Sequence, residues 1–122
     1  MTPIQPPAPT PPAAATIDAV FRALADPTRR AVLERLGARP YAATDLAAHH
    51  QMALPSFLQH LRLLEGAGLV QSKKVGRVRT YELAPERLRM AEDWLNQQRS
   101  LWEGRLDRLD AYLLSMKKEK PE

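Results

Sequence analysis

Apolar residues recur at helical spacing along most of the chain. Ile17, Val20, Phe21 and Leu24 fall at three- and four-residue steps, which predicts an amphipathic helix from Thr16. Asp26-Pro27 then reads as a second helix start. The aspartate can accept from the open backbone N–H groups, and proline at the first position lacks only an N–H with no helical partner. Ala31, Val32, Leu33 and Leu36 give this helix its buried side, Gly37 ends it, and Pro40 lies in the loop that follows. Thr44 is the expected cap of a short third helix, DLAAHH, with Asp45 in its first turn. Residues 51–53 form a turn. A fourth helix opens at Leu54-Pro55 and runs to Glu65 or Gly66, with Phe57, Leu61 and Leu64 along one face.

After Gly66 and Gly68 the period changes. Residues 69–73 and 79–83 are strand candidates, joined by KVGRV with Gly76 as the turn residue. Pro85 opens the longest helix, ending near Met116, with Leu88, Ala91, Leu95, Trp102, Leu106, Leu109, Leu113 and Met116 as its stripe. The expected fold is therefore mainly α with a small β-hairpin wing, in the order α-α-α-α-β-β-α. Two short helices across a tight turn, followed by a hairpin, describe a winged helix-turn-helix.

Composition trims this picture at both ends. Residues 1–15, MTPIQPPAPTPPAAA, are proline- and alanine-rich and uncharged, so they are expected to form a disordered or polyproline-like arm, not a signal peptide. Residues 16–116 are left as the folding domain and 117–122 as a polar tail. Absence of cysteine excludes disulfides, thiolate ligands and cysteine nucleophiles. No run of the sequence approaches the ~18 apolar residues of a membrane span, so no membrane partner is expected, and a cytoplasmic location fits. The formal net charge of +4 is modest; its placement matters more than its size.

The motifs ALADPTRRAVLERL at 23–36, DLA at 45–47, QHLRLLEGAGLV at 59–70 and GRVRTYEL at 76–83 occur in that order. Over residues 17–114 the chain resembles the ArsR/SmtB family of dimeric winged-helix transcriptional repressors. The segment AEDWLNQQRSLWEGRLDRLDAYL at 91–113 resembles a subgroup with tryptophans there and no metal site. The resemblance implies a homodimer in which the first and last helices pack between subunits. Phe21, Leu95, Trp102, Leu106, Leu109 and Leu113 are the expected contacts. A thirty-residue helix with two Trp and a row of Leu supports this independently, since two-fold dimers are the commonest oligomer.

The partner expected from these features is double-stranded DNA. Lys73, Lys74, Arg77 and Arg79 cluster on the hairpin, Arg62 sits on the fourth helix, and Arg29 and Arg30 open the second; these are the phosphate candidates. Base readers must come from the exposed face of the fourth helix near its start: Leu54, Ser56, Gln59 and His60. Ser56 keeps a hydroxyl, Gln59 can pair with adenine, and His60 can donate to a base or phosphate. Leu58 is expected to lean on the preceding helix. Leu54 either staples the helix start or lies against thymine methyl groups.

Other chemistry finds no foothold. His49 and His50 diverge by about 100° on a helix, so they cannot share an ion. Glu103, Asp107 and Asp110 interleave with Arg99, Arg105 and Arg108 and read as surface ion pairs. No nucleophile or phosphate-loop motif suggests an enzyme, and no cofactor is expected. Two other readings compete with the homodimeric repressor. In one, the apolar fourth helix docks a protein partner. In the other, Trp94 and Trp102 line a site for an unidentified small-molecule effector, though dimer packing is the preferred role for both.

Overall fold

The computed structural model describes residues 12–119. The elements run α1 (Pro12–Leu24), α2 (Pro27–Leu36), β1 (Tyr41–Ala42), α3 (Ala43–Ala47), α4 (Leu54–Gly66), β2 (Val70–Val75), β3 (Val78–Leu83) and α5 (Glu86–Glu119). The α-α-α-α-β-β-α order holds, with one addition: β1 pairs antiparallel with β3, giving a three-stranded sheet in the order β1-β3-β2. α1 starts four residues before the expected Thr16, within the stretch read as an unstructured arm. Proline is tolerated in a first turn and the three alanines after it are the strongest helix formers. The rest of the arm, residues 1–11, lies outside the described residues. At the other end α5 continues through Lys117 and Lys118 to Glu119, beyond the expected stop near Met116. Cations in a last turn oppose the helix dipole favourably.

Two compact units divide the chain after Ala91. The core of the first is one cluster: Val20 and Ala23 from α1, Val32 and Leu36 from α2, Leu46 from α3, and Phe57, Leu61 and Leu64 from α4. Ala67, Leu69, Val70, Tyr81 and Ala91 complete it. Phe21 packs against this cluster from its edge, so part of its side chain belongs to its own chain and not to an interface.

Local signals place the elements. Asp26 Oδ2 accepts from the Arg29 backbone N–H at 3.0 Å, a side-chain cap worth about 1 kcal/mol. Burial works to raise the Asp26 carboxyl's pKa. The Arg29 amide bond and the charges of His60 and Arg29 outweigh it and hold the group below its ordinary value. Thr44 does not cap α3. The helix starts two residues earlier than a Thr44 cap would set, at Ala43, from extended Ala42, which is the last residue of β1, and no side chain caps it. α3 also ends sooner than expected, at Ala47, and the amides of His49 and His50 bond back three residues in tight turns. His50 thereby stacks on Phe57 with ring centroids 5.2 Å apart, and burial pushes its pKa down. In the hairpin, Val75 pairs with Val78, leaving a two-residue turn. Gly76 takes φ +63° there, a conformation that favours glycine.

The second unit, from Glu92 onward, is the remainder of α5. At 34 residues the whole helix is about 51 Å long. Its large apolar side chains are exposed, including Leu95, Trp102, Leu106, Leu109, Leu113 and Met116. From Trp102 onward these residues follow a strict four-three alternation, the spacing of a coiled-coil seam.

Candidate nucleic-acid interface

α4 presents two unlike faces. Phe57, Leu61 and Leu64 are fully buried, whereas Ser56, Gln59 and Arg62 are exposed. Leu58 is half-buried and packs against the core. Leu54 is not a staple. It occupies the first helical position after Ala53, not the position before the cap, and about half its surface (48%) meets solvent. An apolar side chain thus stands free at the start of the helix, beside Ser56.

His60 sits differently from the other three base-reader candidates. Its Nδ1 lies 3.0 Å from Arg29 Nη1 and 3.8 Å from Asp26 Oδ2, so its ring faces the start of α2. Arg29 is likewise turned inward. Its Nε donates to the Ala23 carbonyl at 2.8 Å and its Nη2 to the Arg22 carbonyl at 3.0 Å. Arg30 Nη1 donates to the Leu24 carbonyl at 2.8 Å. These two arginines satisfy the open carbonyls at the end of α1. Arg29 thus has three of its guanidinium N–H groups engaged within the protein, and Arg30 has one while staying exposed. We predict that Arg29→Ala lowers the melting temperature and weakens DNA binding while leaving the salt slope of binding unchanged. A slope reduced by about one unit would instead mark a lost phosphate contact.

The hairpin sorts its basic residues by face. Side chains alternate along a strand, and cross-strand partners share a face. Lys74 opposes Arg79 on the face carrying Ser72 and Tyr81, whereas Lys73 opposes Thr80 on the reverse face. Arg77 occupies the turn. All four basic side chains are exposed. Two like charges directly opposite each other destabilise a strand pair unless an anion lies between them. Val75 and Val78, also exposed, flank the turn.

Two polar residues absent from the sequence-based candidates join the wing to α4. Ser72 Oγ donates to Glu65 Oε1 at 2.6 Å and accepts from Arg79 Nη1 at 2.8 Å. A cleft of about 290 Å³ opens at this junction, lined by Leu58, Arg62, Glu65, Arg79 and Tyr81. Burial, and then the Glu65 carboxylate, raise the pKa of the Tyr81 hydroxyl above the usual phenol range. Only the register of β2 against β3, and of both against α4, could have revealed this group.

Among the described residues no cluster of three His, Asp or Glu side chains is placed to hold a metal ion. Arg99 Nε lies 3.9 Å from Glu103 Oε1, one turn along α5, an exposed ion pair of the kind expected. Among those residues no helix is long and apolar enough to cross a membrane.

Residues 24–72 match a helix-turn-helix domain family. The chain is 43% identical over 68 residues to the HTH-type transcriptional regulator Rv2034 of Mycobacterium tuberculosis, covering 56% of this chain and 64% of that protein. It is 33% identical over 76 residues to the transcriptional repressor SdpR of Bacillus subtilis, covering 62% of this chain and 84% of that one. A crystallised ArsR family transcriptional regulator superposes with a TM-score of 0.72 at 46% identity, over 74% of this chain and 93% of the other. These relatives give no support to a protein-docking module or to an enzyme. With a winged fold, a half-exposed α4 and a basic hairpin already in place, the chain belongs to the ArsR family of winged-helix, DNA-binding transcriptional regulators.

Proposed function

We propose that the protein is a homodimeric repressor that binds a pseudo-palindromic DNA site in the cytoplasm. The observation carrying this reading is the pairing of an exposed polar α4 face with a basic hairpin beside it. α4 enters the major groove, where Gln59 and Ser56 offer hydrogen bonds to base edges and Leu54 offers an apolar surface to thymine methyl groups. Arg62 and the wing residues Lys73, Lys74, Arg77 and Arg79 take phosphates. His60 is left a minor part, because one edge of its ring is occupied by Arg29.

The dimer forms through the seam of Leu95, Trp102, Leu106, Leu109 and Leu113, with the partly buried Phe21 contributing from α1. Two copies of α4 then address grooves about 34–36 Å apart, one DNA turn. Trp102, 62% exposed in the single chain, is assigned to this packing in preference to an effector pocket.

With roughly 8 phosphates contacted, the logarithm of the binding constant is expected to fall with the logarithm of salt concentration at a slope of about −7. A salt titration on DNA from the gene's own upstream region measures this. A flat response overturns the reading.

A further inference from the structure

The cleft between α4 and the hairpin holds a carboxylate where a DNA-facing surface should be free of one. Glu65 is exposed on α4, one turn beyond Leu61, and would repel the phosphate backbone if it acted as a lone charge. It does not act alone. Its carboxylate accepts the Ser72 hydroxyl proton at 2.6 Å, and the same hydroxyl oxygen accepts from Arg79 Nη1 at 2.8 Å. A serine hydroxyl has one proton to give, so giving it to Glu65 directs the oxygen lone pairs towards Arg79. The chain of bonds runs from α4 to β2 and on to β3.

We propose that Glu65 and Ser72 are positioning residues that fix the Arg79 guanidinium so that it and Arg62 share one backbone phosphate at the mouth of this cleft. The proposal rests on the DNA-binding reading. Three features support it. Arg62 and Arg79 both line the cleft, one from each wall. Arg79 lies directly across the sheet from Lys74, a like-charged pair that a bound anion would relieve. Arg79 is exposed, yet one of its nitrogens is tied down, so the guanidinium is ordered before DNA arrives while other N–H groups remain to donate. Ordering a long side chain in advance removes part of the entropic cost of binding.

Five variants test this on a labelled mixed-sequence duplex of about 30 base pairs, long enough for two half-sites one turn apart. Binding is read by fluorescence anisotropy, with melting temperatures as a check on folding. Ser72→Ala and Glu65→Ala are each expected to weaken binding about three- to tenfold, the latter although it removes a negative charge. Glu65→Gln keeps an acceptor for the Ser72 hydroxyl and loses the charge, so it should bind as tightly as the unsubstituted protein or more tightly. Arg79→Ala should weaken binding, and adding Ser72→Ala to it should cost nothing further.

Tighter binding by Glu65→Ala would mean that Glu65 is simple repulsion, and would overturn the proposal. So would an equal loss from Ser72→Ala with and without Arg79. A flat salt response of the unsubstituted protein overturns the DNA reading, and this proposal with it. A steep response accompanied by the wrong variant order overturns the strut alone.

Discussion

Trp102→Glu together with Leu109→Glu is expected to turn the proposed dimer into a monomer and to weaken operator binding by about 10²–10⁴-fold, the gain normally supplied by linking two binding modules. The two positions are seven residues apart on α5 and more than half exposed in the single chain. Burying a side chain of this size contributes about 1.5–3 kcal/mol, and each position counts twice in a two-fold interface. Glutamate removes that burial and brings like charges to the surface that meets its own copy in the proposed dimer. None of the affected side chains belongs to the core built from α1 to β3. The variant should therefore keep its winged domain, with a normal circular dichroism spectrum at low temperature. Sedimentation or light scattering reports the change of mass, and anisotropy reports the loss of affinity. A double variant that stays dimeric would refute assembly through this seam.

Phe57→Ala should destabilise the winged domain by about 3–5 kcal/mol, out of the roughly 5–15 typical of a whole domain. Phe57 is the largest of the fully buried side chains and stacks on His50 from the turn before α4. Truncation leaves a void under the helix and removes the support of that turn. For a domain of this size the melting temperature should fall by at least about 12 °C. Gln59→Ala, two residues along and exposed, should leave the melting temperature within a degree or two while weakening DNA binding. An unchanged melting temperature for Phe57→Ala would contradict the core assignment.

The contrast between Phe57 and Gln59 was legible in the sequence because helical periodicity separates inside from outside without any tertiary knowledge. The same is true of Asp26-Pro27, whose capping chemistry is local. What depended on a distant partner was not legible. β1 is two residues long, too short to carry an alternating pattern, and exists only because β3 lies beside it. That pairing moved the start of α3 ahead of Thr44. The hairpin strands ran further than expected because Val75 and Val78 pair across a turn of two residues, not five. Arg29 read as a surface cation, since nothing in the sequence reveals that the carbonyl end of α1 lies over it. Glu65 and Ser72 are unremarked polar residues until the fold brings them to 2.6 Å.

The contact between Arg29 and His60 also settles a question of proton placement. A guanidinium can only donate, so when His60 is neutral its Nδ1, 3.0 Å from Arg29 Nη1, is the accepting nitrogen. A neutral His60 is thereby fixed as the tautomer with its hydrogen on Nε2. Towards anything outside the protein the ring is then a donor only. It can bond a phosphate oxygen or a purine N7, but it has no lone pair to offer the amino group of adenine or cytosine.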